Sequence, residues 1–121
     1  MYSLTLYLPN GKLDIELNES ETAKLIYQGG PYQAQAQFYG EELYFSIPLR
    51  IEPEGTVSRV EKGDVAYWSP GQALCIFFGP TPDSTGDEIR PASPVAIIGK
   101  IKGDLGLLKR IHAGEIVSVQ F

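Results

Sequence analysis

Cysteine occurs once in this chain, so no intrachain disulfide is available to it. A lone thiol fits a reducing compartment, and the expectation is a cytoplasmic protein. Histidine also occurs once. With no Cys, His and carboxylate spacing around it, no zinc site is expected, and no other metal or cofactor. Positive charge is scarce: Lys and Arg number 10 against 15 Asp and Glu, for a net charge of -5. A duplex-binding domain needs a basic face to displace counterions, so nucleic acid is not an expected partner. No basic run offers a polybasic anchor, and no apolar run approaches a membrane span. The first residues, M-Y-S-L-T-L-Y-L-P-N-G, have no basic n-region and do not read as a signal peptide. Ser46, Ser69, Ser84 and Ser93 lack a G-x-S-x-G context, which removes support for a hydrolase triad. The Gly-Asp pairs at 63–64, 86–87 and 103–104 are turn signals, and no Gly-rich phosphate loop is present.

Apolar residues make up 43% of the 121 positions, enough for one compact core. The organising stretch is Gly63 to Pro82, which holds the only Trp, the only Cys and two of the five Phe. Val65 to Trp68 is one apolar run and Ala73 to Phe78 another, with Ser69-Pro70-Gly71-Gln72 as the turn between them. The second run has no polar alternation, so it predicts a central strand covered on both sides. Phe77 and Phe78 then point to opposite sides of it. Gly79-Pro80-Thr81-Pro82 ends the strand, because Pro cannot donate to a ladder.

Earlier in the chain, Tyr2 to Leu8 alternates as a half-buried strand and Asn10-Gly11 signals a hairpin. Leu13, Ile15 and Leu17 alternate with Lys12, Asp14 and Glu16. Asn18 predicts a helix cap with Glu21 as its capping-box partner, and the helix puts Thr22, Ala23, Ile26 and Tyr27 on one face. Tyr32 to Phe38 and Leu43 to Ile47 are further strands, with Gly40-Glu41-Glu42 as the turn between them. Thr56 to Val60 reads as a short strand, and Glu41, Glu42, Glu52, Glu54 and Glu61 as a solvated acidic face. Pro80 to Pro94 has four Pro and no apolar period, so it predicts a long surface loop. Val95 to Ile101 is a buried strand. Asp104 caps a second short helix with Leu105, Leu108 and Ile111 on one face, ended by Gly114. His112 sits at its negative end, where it complements the dipole. The final residues, E-I-V-S-V-Q-F, alternate as a strand. About eight strands and two short helices without βαβ repetition predict a mainly β fold. Closure into a barrel, with the last strand beside the first, protects the edges.

This order of elements resembles the cyclophilin fold. The helix E-T-A-K-L-I-Y-Q, the segment P-V-A-I-I-G-K-I-K-G-D-L-G-L-L-K-R-I and the strand A-L-C-I-F-F-G carry the likeness. The stretch G-D-V-A-Y-W-S-P-G-Q-A-L-C-I-F-F-G-P-T-P resembles small prokaryotic cyclophilin-like domains of undefined function. The resemblance implies a closed eight-stranded cyclophilin-like barrel over residues 1–121, with a groove for a peptide or small molecule on its surface. Active cyclophilins carry a catalytic Arg two residues after a Phe on an early strand. Here Phe45-Ser46-Ile47 stands in that place, so Ile47 replaces the Arg, and Arg50 lies beyond Pro48. The family's Gln before the paired Phe is replaced by Cys75 or Ile76, according to alignment.

No catalytic residue is therefore assigned, and whether the protein is an enzyme stays open. The candidate binding residues are Phe45, Ile47, Trp68, Gln72, Phe77, Phe78 and Arg90. The likeness suggests that Phe78 is the groove-facing member of the aromatic pair. Trp68 reads equally as a ligand contact and as a core residue with its N–H bonded. Arg90 is either a replacement cation or a solvated loop residue. Cys75 in an apolar run reads as an inert thiol. The expectation is a binding module, monomeric or weakly self-associating; the alternative is a weak or altered peptidyl-prolyl isomerase.

Overall fold

A computed structural model describes residues 2–121. The strands are β1 (Ser3–Leu8), β2 (Gly11–Leu17), β3 (Tyr32–Gln35), β4 (Gln37–Phe38), β5 (Glu42–Ser46), β6 (Asp64–Trp68), β7 (Ala73–Phe77), β8 (Ala96–Lys102) and β9 (Ile116–Gln120). One α-helix, α1 (Glu21–Gly29), follows β2, and short 3₁₀ helices span Ser69–Gly71 and Leu105–Arg110. The sheet order is β3-β9-β1-β2-β8-β6-β7-β5-β4. Its pairings are antiparallel, and β9 does return beside β1.

The ring closes through the chain itself. β3 and β4 are two halves of the expected Tyr32–Phe38 strand, bent at Ala36. There the Ala36 N–H donates to Glu115 O and the Gly114 N–H donates to Ala36 O, both at 2.8 Å. One half then pairs with β9 and the other with β5. Nine strands become eight when the bent strand is taken as one.

Alternation sorts the side chains. Leu4, Leu6, Leu8, Leu13, Ile15 and Leu17 fill the barrel with Leu43, Phe45, Ile47, Val65, Tyr67, Leu74, Ile76 and Phe78. A second apolar cluster lies on the outer side of β6 and β7: Val60, Ala66, Ala73, Cys75, Phe77 and Val95. Tyr44, Trp68, Ile89 and Ile97 pack against it. The central strand is thus covered on both faces, which is why its sequence has no polar alternation. Gly99 is the close-approach point of the barrel wall. A Cβ there would collide with the backbone of Glu16, where β2 and β8 pair.

The structure corrects several local expectations. Ser20, not Asn18, caps α1: its Oγ accepts from the Ala23 N–H at 3.1 Å. Asn18 stands one step back. Its Oδ1 accepts from the Ser20 N–H and hydroxyl, and its amide donates to Ile97 O. The second short helix is of 3₁₀ type and ends at Arg110, before Gly114. Leu105, Leu108 and Ile111 are three residues apart, the period of a 3₁₀ helix, and Gly106 disfavours α. Thr56–Val60 forms only isolated bridges, Val57 to Val95 and Val60 to Ile89.

The segment from Pro80 to Pro94 is a loop, but not a loose one. Ser84 Oγ accepts from the N–H groups of Thr81 and Arg90, and the Thr81 hydroxyl donates to Arg90 O. Thr81 and Pro91 are buried, and Ile89 bridges to Val60. The loop is thereby laid over the outer cluster.

Candidate functional site

Strand β5 begins the site. Its inward residues are Leu43 and Phe45; its outward ones are Glu42, Tyr44 and Ser46. On β6 the outward residue at the turn end is Trp68, and beneath both lie Cys75 and Phe77 of β7. The chain from Pro91 to Val95 crosses in front of this face, held by the Val57–Val95 bridge. Between sheet and segment is a cleft of about 250 Å³, lined by Tyr39, Glu42, Tyr44, Trp68, Pro91, Ala92 and Val95.

Its walls are positioned by hydrogen bonds. The Trp68 indole N–H donates to Ser93 Oγ at 2.6 Å, and the Tyr39 hydroxyl donates to Asp83 Oδ2 at 2.6 Å. The Tyr44 and Trp68 rings stand 78° apart with centroids at 6.5 Å, close to edge-on. The one ionisable carboxyl among the lining residues is Glu42.

Glu42 was expected on a solvated acidic face, and here the structure overturns the sequence reading. It is the first residue of β5, not a turn residue, and is 6% exposed. No ion pair reaches it among the described residues. Burial pushes its carboxyl up to about 7, partly opposed by a hydrogen bond from the Cys75 thiol. The Cys75 thiol is driven well above its usual range by its own burial and by the adjacent carboxyl. Such a thiol is not a nucleophile at neutral pH. The other buried acid, Asp64, is satisfied: it accepts from the Glu61 N–H at 2.8 Å and lies 3.6 Å from Lys100 Nζ. Glu52, Glu54 and Glu61 are exposed, as an acidic face requires.

Of the residues singled out from sequence, Trp68 alone lines this cleft. Phe45 and Ile47 lie inside the barrel, 0% and 2% exposed. Phe77, not Phe78, points to the outer side, and it is fully covered there. Phe78 faces the barrel interior, edge-on to Phe38, and its rim reaches a shallow hollow with Glu41 and Lys109 at the barrel end. The strand register decides this inversion: Leu74, Ile76 and Phe78 share a face. Gln72 closes the Ser69–Gly71 turn in the left-handed region, φ 47°, and its carbonyl accepts from the Ile47 N–H. Arg90 is held by Glu88, Nη2 to Oε2 at 2.7 Å, and its side chain does not line the cleft.

Tyr39, Glu42, Tyr44, Pro91, Ala92 and Val95 were not among the candidate binding residues read from sequence. Alternation about Leu43 and Phe45 does place Glu42 and Tyr44 together on the opposite face. What covers that face comes from some fifty residues away along the chain, which no local pattern reports. Among the described residues, no group of three His, Cys, Asp or Glu is placed to hold a metal. No helix among the described residues is long and apolar enough to cross a membrane.

Comparison with known proteins agrees with this architecture. No curated protein shows significant similarity to the chain. The solution structure of a hypothetical protein from Archaeoglobus fulgidus is similar to it, with a TM-score of 0.82 and 39% identity. The match covers 98% of this chain and 92% of that one. The family model described as cyclophilin-like matches residues 2–120. The match spans nearly the whole chain, and the chain belongs to the cyclophilin-like family.

Proposed function

We propose that the protein is a binding module that takes a small molecule, or one side chain of an extended peptide, into the cleft on the outer face of β5 and β6. The observation that carries this reading is the cleft's composition. Apolar and aromatic walls surround one buried acidic group, the pattern of a site with a single orienting contact. A carboxyl kept out of water without an ion-pair partner costs folding stability, so its presence asks for a function. The walls are fixed in advance by the Trp68–Ser93 and Tyr39–Asp83 bonds, which lowers the entropy lost on binding.

The isomerase alternative needs a cation against the proline nitrogen and carbonyl. No lining residue is basic, Ile47 is in the core, and Arg90 is engaged by Glu88. A protease-coupled assay on an Ala-Pro peptide is expected to show no acceleration over the uncatalysed rate, with or without Arg90→Ala.

The test of the binding reading is a heteronuclear NMR titration with proline-containing peptides and a set of small metabolites. Shifts confined to Glu42, Tyr44, Trp68 and residues 91–95 are expected. If ligands that bind move only other surfaces, or none moves any, the cleft is not the site.

A further inference from the structure

Granted that the cleft is a binding site, its polar groups narrow what it takes. The Trp68 N–H is spent on Ser93 and the Tyr39 hydroxyl proton on Asp83. No Lys, Arg or His lines the space. An anion would find neither a charge partner nor these donors. A cation would find the Glu42 carboxylate, otherwise without an ion pair among the described residues. It would also find π-systems: Tyr44 and Trp68 stand nearly perpendicular, and Tyr39 is a third aromatic wall. At about 250 Å³ the space is small, below the roughly 300–1,000 Å³ common for larger ligands.

We propose that the cleft selects a small organic cation, an alkylammonium or quaternary ammonium group, seated against Tyr44 and Trp68 with Glu42 as its counter-charge. The reading rests on the cleft being a site at all, and it adds the charge of the occupant. It also explains why an acid survives in this place. The carboxyl is unfavourable when the cleft is empty and becomes half of an ion pair when a cation enters.

Charge and shape are separated by a matched pair of probes: choline and its uncharged isostere, 3,3-dimethylbutan-1-ol. Trp68 is the only Trp, so its fluorescence reports the cleft directly. At about pH 8, choline is expected to bind at least about tenfold more tightly than the alcohol. Glu42→Gln is expected to remove that preference, and near-ultraviolet circular dichroism matching wild type checks that the variant is folded. At about pH 5.5 the wild-type preference is expected to shrink, as Glu42 takes up a proton. The titratable groups facing Glu42 are the Cys75 thiol from β7 and the Tyr39 hydroxyl. Asp83 stands behind Tyr39. Equal affinity for the two probes, or a preference that survives Glu42→Gln, overturns the charge assignment and leaves the binding reading standing. If choline, butylammonium and the alcohol all leave Trp68 unmoved, the cation proposal falls. The binding reading falls with it only if the peptide and metabolite titration is also blank.

Discussion

Glu42 holds its proton up to about pH 7 in the folded protein, against 4.5 for an ordinary glutamate. Between those two values the folded state binds more protons than the unfolded chain. Raising the pH through that window therefore lowers stability. The penalty is absent below about pH 4.5 and complete above about pH 7, and it is on the order of 3 kcal/mol. Glu42→Gln has no such group to ionise. It is expected to be more stable than wild type by roughly 1–3 kcal/mol near pH 8, with the difference vanishing below about pH 4.5. Glu88 acts with the opposite sign. Hydrogen bonds from Arg59 and Arg90 hold its carboxyl below the usual range, so its contribution is lost as pH falls through the depressed value. Urea melts of wild type and variant at a series of pH values cancel Glu88 and isolate Glu42. Parallel profiles for the two proteins would mean that Glu42 ionises normally in the fold. Sequence made this residue unreadable for a simple reason. A Glu after Gly40-Glu41 is a turn residue in water unless something distant covers it, and the cover is the 80–94 loop.

At the scale of elements, β7 is the test case. Phe77 belongs to the outer cluster and Phe78 to the barrel, yet they are 0% and 4% exposed. Phe77→Ala and Phe78→Ala are therefore expected to cost similar amounts, about 3–5 kcal/mol each. A difference in kind, with one costing stability and the other only binding, would show that one side of the strand is open. Denaturant melts measure both. Gly99→Ala probes β8: an added methyl meets the β2 backbone rather than a yielding side chain. A loss of at least about 2 kcal/mol is expected, as for other overpacked sites. The strands were legible because alternation is local: Lys12–Leu17 shows one wet face and Ala73–Phe78 none. The helix ends were not. Asn18 and Ser20 are both good caps, and the choice follows from Asn18 reaching across to Ile97. The 3₁₀ character of the second helix was not legible either, because both helical periods place apolar residues three apart.

For the whole molecule, closure depends on β9, which lies between β1 and β3. Ending the chain after Glu115 removes both ladders and bares the interior beside Leu6 and Tyr32. Such a truncation is expected to lose cooperative thermal unfolding and near-ultraviolet circular dichroism; retention of both would show that the barrel does not need to be closed. Closure was legible in the sequence from apolar alternation reaching both ends. The seam at Ala36 was not, since nothing in Q-A-Q-A-Q marks where the strand turns from one neighbour to the other.

The two clusters on either side of β7 have a consequence in time as well as in space. Amide hydrogens exchange with solvent through local openings, and each opening must expose what the strand covers. Opening β7 exposes two apolar clusters at once, whereas opening β1 or β2 exposes one. The amides of Leu74, Cys75 and Ile76 should then exchange only when the entire molecule unfolds. Those of the ladder between β3 and β9 should exchange through smaller events, since β3 is short and half of its residues face water.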